Sequence, residues 1–356
     1  MKTTNQRVTD LYSSVGFSSS AILGFAGPEN SLRFDYPGPI PRPKSVVECV
    51  RCGGTSCFTR RYSGESLCAP CFKGSILAKT RRTISEYGML GRGERVGVAV
   101  SGGKDSLSLL KVLHELNGSR WELVALTVDE GVQGYRDEAV EHATALTREL
   151  GVEHVTVSYR GLFGFSLDQA LDWKDERDLS SCSICGVFRR RAIDEAAAKA
   201  KVDVVATAHN LDDYIQTFVM NLLHGDVERL HWLDPSTLDE SFPIRRVKPF
   251  TEIYEEEVAL FAYLSGIPIQ SVSCPYMHEG LRSEVRDDLN EMEARHPGMK
   301  NVLLKSALHV TTELSRIQGG RETVPCKRCG KPSSRGLCGV CRMTETVSKH
   351  SKHALR

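Results

Sequence analysis

Between residues 96 and 100 the chain reads VGVAV, an apolar run with no polar interruption, and the pattern predicts a short buried strand. The run enters Ser101-Gly102-Gly103-Lys104-Asp105-Ser106. Leu107, Leu110, Leu113 and Leu116 then recur at helical spacing, and Gly118 ends the helix. The segment therefore reads strand, glycine turn, helix. Two more apolar strings read as strands: LVALTVDEG over 123–131, and VDVVATA over 202–208, which runs directly into HNLDD at 209–213. Residues at the carboxyl end of a strand sit where open α/β sheets bind ligands. The predicted class is α/β, and 356 residues suffice for a full core with small appended modules.

Apolar runs reach only about five to seven residues, far short of a bilayer span. The first 45 residues lack a basic start followed by an apolar stretch, so no secretory leader is expected. Rich in Ser, Pro and Gly, they read as a mobile extension.

Charge changes the picture at the ends. The net charge is +1, yet residues 42–82 carry nine Lys/Arg against two acids, and residues 321–356 carry the same. Each end module is therefore +7, and residues 83–320 hold −13. Basic ends around an acidic middle suit a polyanionic partner. Solvated cations on modules too small for a core are the plainer reading.

Twelve cysteines fall into three groups. The first is Cys49-x2-Cys52-x15-Cys68-x2-Cys71, and the last is Cys326-x2-Cys329-x8-Cys338-x2-Cys341. Without a secretory leader, metal is the better reading than disulfides. Paired CxxC knuckles supply four thiolates to one tetrahedral zinc, a closed structural site with no position for substrate. Cys57 is left over and reads as an ordinary small residue. The middle group differs: Cys182 and Cys185 lie in SCSICGVFRRR, and Cys274 stands alone in SVSCPYMHEG. Three thiolates do not close a tetrahedral site. They can hold three irons of a 4Fe–4S cluster and leave the fourth open, or form a redox pair beside a bystander. Spacing does not separate the two.

A Walker loop requires G-x4-G-K-[S/T]. Here Val98 and Asp105 occupy its two ends, so that pattern fails. Backbone N–H groups at the helix start, with the Ser101 and Ser106 side chains, can still wrap phosphate oxygens. Asp105 would repel phosphate unless it holds Mg²⁺ or caps the turn. SGGKDS resembles the PP-loop of the N-type ATP pyrophosphatases, which cut ATP between the α and β phosphates and transfer AMP. That resemblance implies a parallel sheet flanked by helices. CSICGVFRRR, HNLDD and CPY, the last followed by EVRDDLNEMEARHPGMKN, resemble in this order the tRNA 2-thiouridine synthetases with two zinc ribbons. The likeness spans residues 46 to 342. Tyr214 departs from it, standing where an acid is expected after the Asp pair, and residues 1–45 match nothing in it.

The expected organisation is a mobile extension over 1–45, read from its composition, then a zinc ribbon over 46–80, a PP-loop domain over 81–320, a second ribbon over 321–345 and a basic tail over 346–356. The resemblance implies ATP held by Ala99, Val100, Ser101, Gly102, Gly103 and Ser106, with adenine near Ala125 to Thr127. Arg189 would lie near the phosphates, and Ala208 and His209 would border the nucleotide. Asp105 and Asp213, with Asp212 a second candidate, would bind Mg²⁺ or assist proton transfer. Asp212 reads equally as a first-turn helix acid. Cys182, Cys185 and Cys274 would hold a 4Fe–4S cluster. A persulfide relay through Cys182 or Cys274 is the rival. The implied activity is adenylation of the C2 oxygen of a tRNA uridine and its replacement by sulfur from a ubiquitin-like thiocarboxylate protein or free sulfide. The wobble uridine is the expected target, with the T-loop uridine as alternative. A cytoplasmic protein, and a homodimer as a family-level expectation, complete that picture. Cytidine thiolases and lysidine-type ligases share the fold without the two ribbons. A zinc RNA-binding module would need neither SGGKDS nor HNLDD.

Overall fold

The computed structural model describes residues 47–173, 180–233, 235, 244–276, 281–318, 324–333 and 336–354. The expected N-terminal extension lies outside the described residues.

In chain order the elements are β1 (Phe58–Thr59), β2 (Ser66–Leu67), α1 (Ala69–Glu86), β3 (Arg95–Ala99), α2 (Lys104–Asn117) and β4 (Glu122–Asp129). Then come α3 (Arg136–Leu150), β5 (Glu153–Ser158), α4 (Tyr159–Phe163), α5 (Leu167–Asp172), α6 (Ser181–Ala200) and β6 (Val204–Ala206). After them follow α7 (Leu211–Leu223), β7 (Arg245–Val247), α8 (Glu255–Leu264), α9 (Leu281–Arg295), α10 (Met299–Gln318), β8 (Val324–Pro325), β9 (Pro332–Ser333) and α11 (Gly339–Ala354).

Five strands form one parallel sheet in the order β5-β4-β3-β6-β7. Their near-continuous apolar sequences follow from burial on both faces. Val96 and Val98 of β3 and Leu123 and Ala125 of β4 pack on Phe72, Leu107, Leu110 and Phe261. Val124 and Leu126 of β4 turn the other way, onto Ala196, Ala197 and Ala200 of α6. From β3 the chain winds outward through β4 to β5, then returns to lay β6 on the opposite side of β3. That reversal opens a crevice at the carboxyl ends of β3 and β6, where ligands of such sheets bind. The α/β class and parallel sheet match the expectation.

Both end modules pack on the core. Each has a two-stranded antiparallel hairpin. Helix α1 begins at the second knuckle of the first module and continues to Glu86, so the division expected at residue 80 falls inside a helix. Phe72 and Ile76, both fully buried, lie in the same core cluster as β3 and α2. Arg60 Nε donates to Glu257 Oε1 at 2.6 Å, and Tyr62 stacks on Tyr254 with ring centroids 4.8 Å apart. Likewise α11 runs through the boundary expected at residue 345, and its Val347 packs with Phe188 of α6.

Candidate active site

The crevice is a cleft of about 300 Å³ lined by Ala99, Val100, Ser101, Asp105, Ser106, Leu126, Val128, Glu130, Arg189, Ile193, Thr207, Ala208, His209 and Asp213. Nine of the positions expected from sequence are in this wall: Ala99, Val100, Ser101, Asp105, Ser106, Arg189, Ala208, His209 and Asp213. Gly102 and Gly103 form the turn behind it. Gly102 has φ +85°, and a Cβ there would sit 2.0 Å from the Ala139 carbonyl oxygen, so only glycine fits. The turn is laced by serines. Ser106 Oγ accepts from Ser101 N at 3.0 Å and donates to Gly103 O at 3.0 Å. The amides opening α2 and two serine hydroxyls thus converge on one spot, as an anion requires.

Acids line the floor. Asp105 Oδ1 is buried with no hydrogen-bond partner among the described residues, while Oδ2 accepts from Lys104 Nζ at 3.0 Å. Lys104 also reaches Glu255 Oε1 at 3.1 Å. Burial pushes Asp105 above the usual carboxylate range, with Lys104 opposing and Glu255 adding to the rise. Asp213 belongs to a reciprocal cap at the start of α7: its N–H donates to Asn210 Oδ1 at 3.0 Å, and its Oδ2 accepts from Asn210 N at 3.2 Å. Burial, then the facing Asp105, pushes Asp213 up to about 7. Two carboxylates in one polar hollow, one oxygen unpartnered, are the donor set a hard cation takes. The cleft's packed surroundings and the nearby Lys248, Arg282, Arg246 and Arg189 lower the pKa of His209, whose ring still reaches solvent.

At the other end of the cleft Arg189 Nε donates to Glu130 Oε1 at 2.8 Å. Glu130, 2 % exposed, also pairs with Arg136 Nε at 2.6 Å. Arg136 donates to Ser101 O at 2.6 Å and to Val128 O. Arg189 lies one helical turn beyond Cys185 on α6. The Cys185 thiol is buried and pushed up by that burial, and Tyr159 OH donates to its carbonyl at 3.0 Å. Cys182 is exposed, and its Sγ lies 3.6 Å from Tyr276 O, two residues past Cys274. The structure therefore brings Cys182, Cys185 and the Cys274 loop to one edge of the cleft. These three do not crowd within 4.8 Å of one another as the two quartets do.

The quartets Cys49, Cys52, Cys68, Cys71 and Cys326, Cys329, Cys338, Cys341 each bring four sulfurs within 4.8 Å. A tetrahedral zinc with bonds of about 2.3 Å needs sulfurs roughly 3.8 Å apart. Cys52 and Cys68 are 3.5 Å apart, and Cys329 and Cys338 are 3.7 Å apart. In the second quartet Cys338 N donates to Cys326 Sγ at 3.3 Å. Cys57 belongs to neither quartet.

Residues 77–290 match the PP-loop domain family. The chain is 33 % identical over 319 residues to the tRNA 2-thiolation protein NcsA of Haloferax volcanii, covering 85 % of this chain and 99 % of that protein. The chain belongs to the tRNA 2-thiolation proteins. Cytoplasmic tRNA 2-thiolation protein 1 of Oryza sativa is 34 % identical, with 88 % of this chain and 87 % of that protein covered. The U34-tRNA thiolase NcsA from Methanococcus maripaludis, solved with its 4Fe–4S cluster, superposes with a TM-score of 0.72 at 31 % identity, over 85 % of this chain and 96 % of that one.

The structure places three further residues of the signature as follows. Ala125 does not line the cleft. Neighbouring strand residues face opposite sides, and Ala125 faces the α2 side while Leu126 and Val128 form the wall. Asp212 is a structural acid: it pairs with Lys300 Nζ and accepts from Glu255 N at 2.8 Å, capping α8. Tyr214, which stands where an acid is expected, packs inward. It is 3 % exposed, and its hydroxyl meets Thr311 Oγ1 of α10 at 3.0 Å. Sequence reasoning missed Glu130, Arg136, Ile193 and Thr207. The strand-end rule that singled out HNLDD applies equally to Glu130, which follows β4 in LVALTVDEG.

Proposed function

We propose that this chain is an ATP-dependent tRNA sulfurtransferase that converts the wobble uridine, position 34 in the Methanococcus maripaludis thiolase's own description, to 2-thiouridine. The observation that carries the proposal is one cleft whose nucleotide turn and three-cysteine edge are joined by the Arg136–Glu130–Arg189 chain.

Ser101, Gly102, Gly103 and Ser106 hold the triphosphate through the helix start. Asp105 and Asp213 hold Mg²⁺ against it, which relieves their mutual repulsion. Leu126 and Val128 supply the apolar wall for adenine. The C2 oxygen of uridine attacks the α-phosphorus. The O–P bond to the α-phosphate forms as the bond to pyrophosphate breaks. Sulfur, delivered as hydrosulfide, then forms a bond to C2, and AMP leaves with the former carbonyl oxygen. No electron is gained or lost overall. A 4Fe–4S cluster on Cys182, Cys185 and Cys274 supplies an iron with no cysteine ligand, at which sulfide can bind. Neutral His209 accepts or donates a hydrogen bond beside the reacting base without adding a charge. Arg189, fixed by Glu130, stands between the phosphates and the cysteine edge. The two quartets hold structural zinc, and their basic modules grip RNA phosphates. The sulfur source is a thiocarboxylate protein or free sulfide, and the proposed site of action is the cytoplasm, as the plant relative's name states for that protein.

The test uses anaerobic full-length protein with unmodified tRNA and sulfide. AMP, pyrophosphate and 2-thiouridine mapped to the wobble position are the expected products. ADP and phosphate as the tRNA-dependent products, or thiolation at full rate by iron-free protein, overturn the reading.

A further inference from the structure

Cys274 has no secondary structure to hold it; the chain from 268 to 276 forms neither helix nor strand. Its placement relative to Cys182 and Cys185 therefore depends on side-chain contacts. Those contacts come from the turn that opens α3 and from Asp168 of α5. Gln270 Nε2 donates to Tyr135 O at 2.6 Å. Ser271 N donates to both Glu138 oxygens at 3.1 Å, and Ser271 Oγ donates to Glu138 Oε2 at 2.7 Å. Beyond Cys274, Tyr276 OH donates to Asp168 Oδ1 at 2.9 Å, and the other Asp168 oxygen accepts from Gln133 N, also at 2.9 Å.

The same turn holds the nucleotide loop. Arg136 donates to Ser101 O, and the Ala139 carbonyl fills the space a side chain on Gly102 would need. Residues 135 to 139 thus touch the phosphate turn on one side and the cysteine loop on the other. Their side chains divide the work: Arg136 points to the nucleotide, Glu138 to the sulfur-handling loop.

We infer that the first turn of α3 is a bracket that sets the third cysteine in register with the nucleotide turn, and that Glu138 is its positioning residue. The inference rests on the proposed sulfurtransferase reading for its purpose, while the placement itself is independent of any cluster. Glu138 touches neither nucleotide nor the reacting atoms. It acts through Ser271, and a carboxylate accepting several hydrogen bonds at once is a strong local clamp on a loop.

The test reads placement without iron. In metal-cluster-free, zinc-loaded full-length protein, a short bis-maleimide should cross-link Cys182 to Cys274, identified by peptide mapping. Glu138→Ala should slow that cross-link about tenfold, the size expected when charge-assisted hydrogen bonds are lost. Glu138→Gln, which keeps an acceptor for Ser271 N, should restore most of the rate. Ser271→Ala, which removes only the hydroxyl contact, should fall between them and decides the matter if Glu138→Ala fails to fold. After anaerobic reconstitution, Glu138→Ala should retain iron about tenfold more weakly, the usual scale for losing an outer support of a metal ligand. ATP affinity should stay at the wild-type value, because Arg136 is intact. Wild-type cross-linking rates in folded Glu138→Ala or Ser271→Ala overturn the inference. A wild-type chain that takes up no iron overturns the cluster assignment and leaves the cross-link to judge the bracket.

Discussion

Asp213 shows how a single side chain records the ligand it awaits. With a pKa of about 7 it lies far above the ordinary carboxylate value because it is half-buried opposite Asp105. A carboxylate raised in this way contributes stability below its unfolded pKa and loses it as pH climbs through about 7. Nucleotide-free protein should therefore be less stable at pH 8 than at pH 5.5 on account of this group. Asp213→Asn should flatten that dependence, raising the melting temperature at pH 8 and raising it less at pH 5.5, where only part of the loss has occurred. The side chain is 38 % exposed, so solvent screens much of the repulsion. A gain of about 1 kcal/mol, or about 2–4 °C, is the expected size. Scanning calorimetry of both proteins at the two pH values checks it. An equal or lower melting temperature for the variant at pH 8 rules out the electrostatic account. Thiolation should fall in the same variant, because the carboxylate that would hold Mg²⁺ is gone.

At the scale of elements, the nucleotide turn is fitted to α3 as closely as to β3. Gly102→Ala introduces a methyl group where φ is +85° and where the Ala139 carbonyl already stands. The turn must shift, at a cost of about 1–3 kcal/mol for the strained backbone. ATP should no longer raise the melting temperature of this variant, while far-UV circular dichroism stays native. Retained stabilisation by ATP would show that the turn does not hold the phosphates. This element was legible in the sequence because its signals are local. VGVAV, the glycine pair and the leucines after it each constrain a few neighbouring residues. What the sequence concealed is pairing at long range. Glu130 and Arg189 are brought together only when β4 and α6 pack side by side. The choice between Ala125 and Leu126 depends on which face of β4 meets the cleft, and an apolar strand buried on both sides carries no alternation to reveal it. Asp212 and Asp213, adjacent in sequence, part company for a similar reason. A single residue step, about 100° around the helix, separates the cleft from a buried ion pair with Lys300, and no property of the dipeptide assigns the roles.

Over the whole molecule, the spacing of cysteines disclosed the two end modules but not their attachment. Arg60 of the first module, Lys79 of α1 and Tyr62 all meet Glu257, which is fully buried on α8. Removing one partner of a buried pair leaves a charge without compensation, at a cost of about 3–5 kcal/mol. Glu257→Ala should accordingly lower the melting temperature by about 10 °C. It should do so with the metal content of both cysteine quartets unchanged from wild type, which metal analysis checks. A loss confined to the first module, with the main transition unmoved, would mean that module and core melt separately.

That attachment turns the molecule into a gauge. A module hinged on a loose linker could grip RNA at any distance from the cleft and let the chain find its own target. Here α1 leads from the cysteine knuckle into the core without a break. If the module grips RNA as proposed, the span between gripped phosphate and reacting base is fixed by the protein, and an RNA whose arm is a few nucleotides too long or too short would present the wrong base. Selection of one uridine among many would follow from measurement as much as from chemistry.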